Sequence, residues 1–154
     1  MVDTWYIIKG MSFLDKKGKL KAVKFILPVI VWASVIFTFS SFPTVSTSNF
    51  YLWDFLLKKS AHVIEYGILA TLIYRALVNY EVKKDKAILV AIFLAFLYGV
   101  TDEFHQSFVP GRGPKFTDTL IDAFGGWLFV YVFINKFRTK LPNVLQSLFL
   151  RFGL

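Results

Sequence analysis

The sequence predicts an all-α integral membrane protein in which four transmembrane helices form a compact bundle. Three observations support this prediction: 56% of the 154 residues are hydrophobic, only 18% are charged, and phenylalanine alone occurs 18 times. A soluble domain of this length buries too small a fraction of its surface to hide so much apolar area, whereas a bilayer solvates it. The length corresponds to about one domain, so we expect a single membrane domain over residues 1–154.

The composition also excludes several classes of site and partner. Because the chain has no cysteine, it has no disulfide, no thiolate metal site and no cysteine nucleophile. The formal net charge of +8 is compatible with nucleic-acid binding, but the basic residues flank apolar segments, as orientation in a bilayer requires. We therefore expect the lipid bilayer as a partner and no nucleic acid.

We place the first helix at about 22–42, after a basic cytoplasmic segment that covers residues 1–21. The stretch 25–53 contains no ionisable residue and is long enough for one crossing. Pro28 falls near the start of this helix, where its missing N–H group costs least. The charged region is longer than that of a cleaved signal peptide and no convincing cleavage site follows, so we expect an uncleaved signal anchor. A polar loop runs from Ser40 to Asn49.

Three more helices are predicted at about 59–80, 86–106 and 117–135. Aromatic residues between Tyr51 and Leu57 are expected at the membrane interface before the first of them. The segment 108–114 cannot be regular helix because two prolines and two glycines fall within five residues. Thr117 is a plausible N-cap for the last of these helices. The tail, residues 136–154, mixes basic with apolar residues and predicts a C-terminal amphipathic helix on the membrane surface.

The basic residues are distributed unequally between the two ends of the predicted spans. Fourteen Lys and Arg residues flank one end: six from the N-terminus up to Lys24, four around the connection between the second and third helices, and four in the tail. The other end has only four, which are Lys58, Lys59, Arg112 and Lys115. The positive-inside rule therefore puts both termini in the cytoplasm.

Ionisable residues intrude into the last three predicted spans, all from the non-cytoplasmic end. A rise of about 1.5 Å per residue puts Glu65, Asp102 and Asp122 roughly 6–9 Å below that end. A charge that faces lipid costs at least a few kcal/mol. We therefore expect these acids to face the bundle interior or a wet cavity, paired with cations from neighbouring helices. The expected cations are Lys59, His62, His105 and Arg112.

Helical spacing groups the intruding residues into one pocket with contributions from three helices. His62, Glu65 and Tyr66 share one face of the second helix, and Asp118 and Asp122 are one turn apart on the fourth. The predicted ligand-binding residues are Lys59, His62, Glu65, Tyr66, Asp102, Glu103, His105, Gln106, Arg112, Asp118 and Asp122. The candidate catalytic residues are His105, Asp102 and Glu65.

A metal site is the weaker interpretation of the same pattern. Candidate ligands are His62, Glu65, Asp102, His105 and Asp122, which are types that divalent metals accept. The spacings H-x-x-E and D-E-x-H are short and occur by chance. We therefore predict no cofactor, with a divalent metal left open.

Three strings, in the same order along the chain, resemble motifs of the VanZ-like membrane family. Residues 59–69 (KSAHVIEYGIL) are similar to K-x-x-H-x-x-x-Y-x-x-L, and residues 102–112 (DEFHQSFVPGR) to D-E-x-H-Q-x-F-x-P-G-R. Asp118, Asp122 and the following Gly125-Gly126 resemble D-x-x-x-[DN]-x-x-G, with an acid where many members have Asn. Including Ser40-Ser41-x-Pro43, the resemblance covers about residues 36–126. The N-terminal segment and the tail lie outside it.

The resemblance implies a cellular location for the protein, but not a chemical reaction. The namesake of the VanZ-like family is associated with low-level resistance to teicoplanin, a lipoglycopeptide antibiotic that binds cell-wall precursors. No reaction is securely assigned to the family. The resemblance implies a multi-pass protein of the bacterial plasma membrane, in the cell envelope, and we expect its site to face the non-cytoplasmic side.

Four functions remain open from the residues. The first is a module that binds or modulates a lipid-linked wall precursor or a lipoglycopeptide, with Arg112 and Lys59 holding anionic groups and the acids accepting donors. The second is an intramembrane hydrolase or transferase for a lipid-linked wall substrate, with His105 or Glu65 as general base, Asp102 orienting it and Arg112 as electrophile. The third is an ion-coupled transporter, since buried carboxylates suit proton relays. The fourth is an internal polar network that fixes helix packing.

Overall fold

The computed structural model describes residues 16–43, 51–112, 116–137 and 143–153, and the chain is helical throughout these ranges apart from its connections. The helices are α1 (Lys16–Phe25), α2 (Leu27–Ser40), α3 (Tyr51–Asn79), α4 (Lys84–Gln106), α5 (Phe116–Trp127) and α6 (Asn143–Arg151). A π-helical segment, Leu128–Phe137, directly follows α5. The all-helical prediction is confirmed. The predicted basic segment up to residue 15 and the polar loop from residue 44 lie outside the described residues.

Three helices are long and apolar enough to cross a membrane: Gly18–Ser40, Phe55–Asn79 and Lys84–Gln106. They correspond to the first three predicted spans, and the chain is a multi-pass membrane protein. The predicted fourth span, 117–135, falls on α5 and the π-helical segment. A fourth crossing, and the orientation of the termini, therefore stay predictions.

The first predicted span is two helices joined with a short interruption at Ile26. Pro28 lies in the first turn of α2, so it has no N–H group to donate to the carbonyl of Lys24, and the regular ladder breaks there. The Val29 N–H donates instead to the Ile26 carbonyl at 3.0 Å. Helix begins earlier than expected, at Lys16, because α1 precedes this break.

The second predicted span also begins earlier, at Tyr51 instead of about residue 59. The predicted start was set by Lys58 and Lys59, because charge limits a hydrophobic span. Charged residues do not end a helix as proline or glycine can, and neither of these occurs between Tyr51 and Lys59. The residues expected at the interface, Tyr51 to Leu57, are therefore the first turns of α3.

Small side chains let α3, α4 and α5 pack against one another. Ala87, Ala91 and Ala95 recur every fourth residue along α4 and are fully buried, and Gly99 continues the row. Across the bundle, an added Cβ on Gly125 of α5 would lie only 2.5 Å from the carbonyl oxygen of Val63 on α3. Such small-residue rows are how helices approach closely in membranes, and they bring the polar side chains of three helices within reach of one another.

The outer surface of the bundle is apolar. Large hydrophobic side chains on every described span are exposed, among them Leu20, Leu57, Leu89 and Phe104, each at least 65% exposed. Exposure of such an apolar surface to water is unfavourable, whereas lipid tails solvate it. The surface is therefore consistent with a bilayer around the bundle.

The C-terminal helix is tied to the bundle at the end where α3 finishes, here named the tail end (Arg75, Asn79 and Gly153). The Arg75 guanidinium donates to the Phe152 carbonyl and lies 4.9 Å from the centre of the Phe25 ring. The Asn79 amide donates to the Gly153 carbonyl at 2.9 Å. Gly153 adopts a φ of 75°, which favours glycine and ends α6. Arg75, a charge inside a predicted span, thus holds the tail.

Replacing Arg75 with methionine is expected to loosen α6 without unfolding the bundle. Methionine keeps much of the apolar volume over Phe25 but removes the hydrogen bond to Phe152, worth about 1 kcal/mol. Hydrogen–deuterium exchange of the purified protein should speed up roughly fivefold in residues 143–151 and stay unchanged in α4. Lys86→Met, which removes an exposed cation at the same end, is the control. Equal protection of α6 in both variants would contradict this role for Arg75.

Candidate functional site

Ionisable and hydroxyl side chains gather where α2 ends, α3 is in its first half, α4 ends and α5 begins. We name this region the polar end, defined by Ser40, Lys59, Gln106 and Asp118. From α2 to α5, consecutive helices run in opposite directions, so the motifs of α3, α4 and α5 meet there although they lie about 60 residues apart. Its side chains form a deeper layer inside the bundle, a shallower layer above it, and an exposed group at the side, here called the flank.

The deeper layer contains an ion pair between α3 and α5. The His62 Nδ1 lies 2.8 Å from the Asp122 Oδ1. The Asp122 side chain is only 1% exposed, whereas that of His62 is 16% exposed. The ring of His62 stacks on that of Tyr66, one turn deeper, at 6.2 Å between centroids. A carboxylate buried to this degree requires such a partner, so His62 is what allows Asp122 to lie in the bundle.

The shallower layer is a second pair between the same two helices. Lys59 forms a salt bridge with Asp118, and both side chains are slightly less than one-fifth exposed. Lys59 precedes His62 by one turn of α3, and Asp118 precedes Asp122 by one turn of α5. The Lys59–Asp118 pair therefore lies directly above the His62–Asp122 pair and covers it from the polar end.

Asp102 of α4 connects the site to α2. Its Oδ2 accepts hydrogen bonds from the Ser40 hydroxyl and the Gln106 amide, both at 2.7 Å. The carboxyl group is 4% exposed. The sequence predicts a cation as its partner, but the structure provides two neutral donors. Asp102 also makes no hydrogen bond to His105, so its predicted role as the orienter of that base is not what the geometry provides.

Three buried polar atoms at the centre of the cluster have no hydrogen-bond partner among the described residues: Tyr66 Oη, Asp102 Oδ1 and Asp122 Oδ2. The Tyr66 hydroxyl interacts electrostatically with both acids and lies near enough to Asp102 for a weak hydrogen bond, but the pair does not reach the length and angle of an ordinary one. Gly99 leaves room for them, since an added Cβ there would lie 2.9 Å from Asp122 Oδ2 and 3.4 Å from the Tyr66 ring. Buried polar atoms are normally paired, so this group is a place for added donors.

Glu65 and Glu103 lie at the edges of this cluster. Glu65 is half-buried and interacts electrostatically with His62, Asp102 and Arg112. Its backbone carbonyl also accepts a hydrogen bond from the Trp32 indole at 2.9 Å, which links α2 to α3. Glu103 is 7% exposed and interacts with Asp122. The structure thus brings Glu65, Asp102 and Asp122 together from three helices.

His105 lies on the flank of the polar end, beside α2. Its Nε2 is 3.0 Å from the Ser41 hydroxyl oxygen, and its ring packs on Phe37 with 4.2 Å between centroids. Ser41 is the residue that caps α2. The pair is exposed, in contrast to the buried cluster around Asp102.

Arg112 has a different role from the one expected. Its Nε donates to the Phe42 carbonyl at 3.0 Å and its Nη2 to the Phe39 carbonyl at 2.9 Å. The last carbonyls of a helix have no partner within it, and a cation there is favoured. Arg112 therefore caps α2, and its guanidinium group is engaged by the protein itself instead of being free for an anion.

The geometry of the described residues does not provide a metal centre. No group of three or more His, Asp or Glu side chains among them is arranged to hold a metal ion. The candidate ligands separate into the His62–Asp122 pair and Asp102 with its neutral donors, and His105 lies at Ser41. The described geometry thus gives the metal variant of the prediction no support.

Three residues that shape the site are not among the predicted site residues: Ser40, Ser41 and Gly99. The sequence predicts a polar loop from Ser40, but both serines lie at the end of a span that runs antiparallel to α4. Hydroxyl groups at the end of an uncharged span were the available signal, since they must lie at the same depth as the acids. Gly99 was detectable as the continuation of the alanine row on α4.

Comparison with known proteins identifies the family. The VanZ/LLP1 family model matches residues 25–138, which is well over half of the chain. No curated protein and no solved structure matches the chain. The matched range includes all three motif strings and the Ser40-Ser41 step, that is, every side chain of the polar end described above. The chain therefore belongs to the VanZ/LLP1 family of membrane proteins.

Proposed function

We propose that this protein binds a donor-rich envelope ligand at the polar end of the bundle, from the non-cytoplasmic leaflet. The ligand class is a lipid-linked wall precursor or a lipoglycopeptide. The observation that carries the proposal is the group of unpaired buried acceptors, Asp102 Oδ1 and Asp122 Oδ2, beside the Tyr66 hydroxyl. Family membership supports the envelope setting, and the unequal distribution of Lys and Arg supports the side.

The chemistry of the cluster favours donors over anions. The unpaired oxygens of the two acids can only accept hydrogen bonds while they are ionised. Sugar hydroxyls and ammonium groups supply such donors, and both occur in wall precursors and lipoglycopeptides. The cations that could have held a phosphate, Lys59 and Arg112, are already paired with Asp118 and with the carbonyls that end α2. Binding through the acids is therefore the better-supported mode.

Entry of a ligand requires the Lys59–Asp118 pair to part. This pair covers the deeper layer and is the more exposed of the two, so it loses less on separation than the buried pair below it. Once separated, Lys59 is available for an anionic group of the ligand, such as a phosphate or a peptide carboxylate. The two layers would then bind the two ends of one polar headgroup.

Binding is tested by thermal stability of the purified protein in nanodiscs, with two probes used separately. The probes are teicoplanin and a lipid-linked disaccharide–peptide precursor. A ligand at about 100 times its Kd adds about 2.7 kcal/mol to the stability of the folded protein, a shift of several degrees in Tm. We expect such a shift with at least one probe, and its loss in Asp102→Asn and in Glu65→Gln.

The control is Asp85→Asn, which removes an exposed acid from the first turn of the same helix as Asp102. It should keep the full shift in Tm. Glu65→Gln guards against a folding defect in Asp102→Asn, because the Glu65 side chain is only half-buried. The proposal fails if neither probe shifts the Tm of the unmodified protein, or if both site variants keep the shift.

A further inference from the structure

The flank of the polar end contains a hydroxyl and an imidazole that the ligand-binding proposal does not use. Ser41 Oγ lies 3.0 Å from His105 Nε2, and the pair is exposed. Nucleophile and base within hydrogen-bond distance are the geometric requirement for covalent catalysis. The two residues are 64 positions apart along the chain, so no sequence motif shows them as a pair. From this geometry we propose that Ser41 and His105 are a nucleophile–base pair that cleaves a membrane-lipid ester by acyl transfer.

The Ser41 proton can reach His105 without leaving a backbone carbonyl unpaired. In the structure the hydroxyl donates to the Phe37 carbonyl at 2.7 Å. That carbonyl also accepts the backbone N–H of Ser41 at 3.0 Å. Rotation of the hydroxyl toward Nε2 therefore leaves the carbonyl satisfied. The Phe37 ring, packed on the imidazole, holds the base in place.

The depth of Ser41 suits an ester substrate. The helix from Gly18 to Ser40 has 23 residues, which at 1.5 Å each span about 34 Å. The hydrocarbon core of a bilayer is about 30 Å thick. The helix begins among Lys19, Lys21 and Lys24, at the basic end of the span. Ser41, the residue after its last one, therefore lies near the opposite boundary of that core, where phospholipid ester groups also lie. An ester diffusing in the leaflet meets the hydroxyl without leaving the membrane.

A shallow apolar hollow, open to the surroundings, lies on α2 one turn before the same hydroxyl. It has a volume of about 400 Å³ and is lined, among the described residues, by Ile30, Val31, Ser34, Val35, Thr38 and Phe39. Ser34, Thr38 and Ser41 follow one another at intervals of four and three, so Ser41 continues the face that lines the hollow. The hollow lies at hydrocarbon depth. Its occupant is the acyl chain of the ester, with the carbonyl carbon at Ser41.

The reaction balances with the groups present. Ser41 Oγ attacks the ester carbonyl carbon as His105 Nε2 takes the hydroxyl proton. The carbon–oxygen bond to the alcohol portion then breaks, and His105 returns the proton to the departing oxygen, which leaves as an alcohol. The product is an acyl ester of Ser41. A second hydroxyl, from water or from an acceptor molecule, releases the acyl group by the same steps in reverse order.

Arg112 is a positioning residue for this pair. Its two hydrogen bonds fall on the Phe39 and Phe42 carbonyls, on either side of the Ser40-Ser41 step. They fix the end of α2 and with it the direction of the Ser41 side chain. The middle motif therefore supplies both the base, His105, and the residue that orients the nucleophile.

The test is covalent labelling of the purified protein in phospholipid nanodiscs with a fluorophosphonate probe, which reacts with activated serine hydroxyls. Mass spectrometry locates the adduct and measures its rate. We expect the adduct on Ser41, none in Ser41→Ala, and a rate at least about 100-fold lower in His105→Ala and His105→Gln, the usual effect of removing a general base. Intact mass after incubation with a short-chain phospholipid should show acyl-Ser41, which hydroxylamine removes.

Ser107→Ala is the matched control. Ser107 is another exposed serine that caps a helix and donates to a backbone carbonyl, that of Phe104, but its hydroxyl makes no hydrogen bond to an imidazole among the described residues. In Ser107→Ala, the rate at which the probe labels Ser41 should equal that of the unmodified protein. The glutamine variant of His105 preserves contact with Phe37, and equal melting temperatures of both histidine variants and the unmodified protein exclude a folding artefact.

Labelling of Ser41 no faster than that of Ser107, or equal labelling with and without His105, would overturn the proposal. It stands apart from the ligand-binding proposal, because the adduct is measured without teicoplanin or wall precursor. A protein that binds neither teicoplanin nor the wall precursor, yet is labelled at Ser41, would refute only the binding proposal. A protein that binds one of them but is not labelled at Ser41 would refute only the acyl-transfer proposal.

Discussion

Gly125→Ala is expected to destabilise the protein strongly, because the added methyl group meets the backbone of a neighbouring helix. The new Cβ would lie 2.5 Å from the Val63 carbonyl oxygen and 2.9 Å from the Val63 Cα. Both are backbone atoms, so no side-chain rotation relieves the overlap, and α5 must move away from α3. Overpacking costs typically 1–3 kcal/mol and occasionally more. The backbone overlap places the cost near the top of this range, and helix propensity returns about 1 kcal/mol on replacing glycine. We therefore expect a net loss of about 2 kcal/mol, measured by equilibrium unfolding in mixed micelles of a mild detergent and dodecyl sulfate.

Gly126→Ala provides the matched control, since it adds the same methyl group one residue further on the same helix. Its Cβ would meet the Ala70 methyl carbon at 3.2 Å, which a shift of a few tenths of an ångström accommodates. Helix propensity also improves by about 1 kcal/mol on replacing glycine, so this variant should lie near the stability of the unmodified protein. Equal losses in the two variants would show that the close approach of α5 to α3 is not what Gly125 provides.

The close approach at Gly125 has a consequence for the polar end. Asp122 precedes Gly125 by about one helical turn, and His62 adjoins Val63. Separation of the two backbones therefore lengthens the 2.8 Å contact between the His62 and Asp122 side chains. The glycine pair of the third motif and the ion pair next to it are parts of one arrangement, in which small residues set the distance over which the charges interact.

The sequence predicted the first three apolar helices and the burial of Asp102 and Asp122 because both depend on local properties. Uncharged stretches of sufficient length mark a span, and a rise of 1.5 Å per residue converts a position into a depth. For this reason the helix predicted at 86–106 corresponds to Lys84–Gln106. Asp102 and Asp122 are in the interior, as the cost of a charge in lipid requires.

The partners of these residues were less accessible, because they depend on distances between helices. Lys59 and His62 were both suitable for either Asp118 or Asp122, and only the register of α3 against α5 decides between them. Arg112 was expected to hold an anion, but the carbonyls that end α2 meet its guanidinium first. A sequence shows that a cation lies near helix ends, but not which of them it caps.

The serines at the end of α2 illustrate the same limit. Ser40 and Ser41 are adjacent, yet the first donates to buried Asp102 and the second lies against exposed His105. Neighbouring residues on a helix point about 100° apart, so one faces the bundle and the other its flank. The assignment of each serine to its partner needs the rotation of α2 about its axis, which an uncharged and almost uniformly apolar helix does not encode.

Removal of His62 is expected to have the second large effect, because it leaves a buried carboxylate without its partner. In His62→Leu, both oxygens of Asp122, a side chain 1% exposed, would lack a hydrogen bond. Breaking a buried ion pair by removal of one partner commonly costs about 3–5 kcal/mol. We expect a loss in this range by the same unfolding measurement, whereas Lys59→Met, which breaks the more exposed pair, should cost about 1 kcal/mol or less.

The double variant His62→Leu/Asp122→Leu decides what the pair contributes. Replacing both members with apolar residues removes the unpaired charge, and buried pairs exchanged in this way are often neutral or stabilising. Recovery to within about 1 kcal/mol of the unmodified protein would mean that the fold does not need the pair. Since a chain that could be equally stable with two leucines instead contains a histidine, a buried acid and an unpaired oxygen beside them, the pair would then be kept for binding and not for packing. Failure of the double variant to recover would identify it as a packing element and remove the main support for a ligand at the polar end.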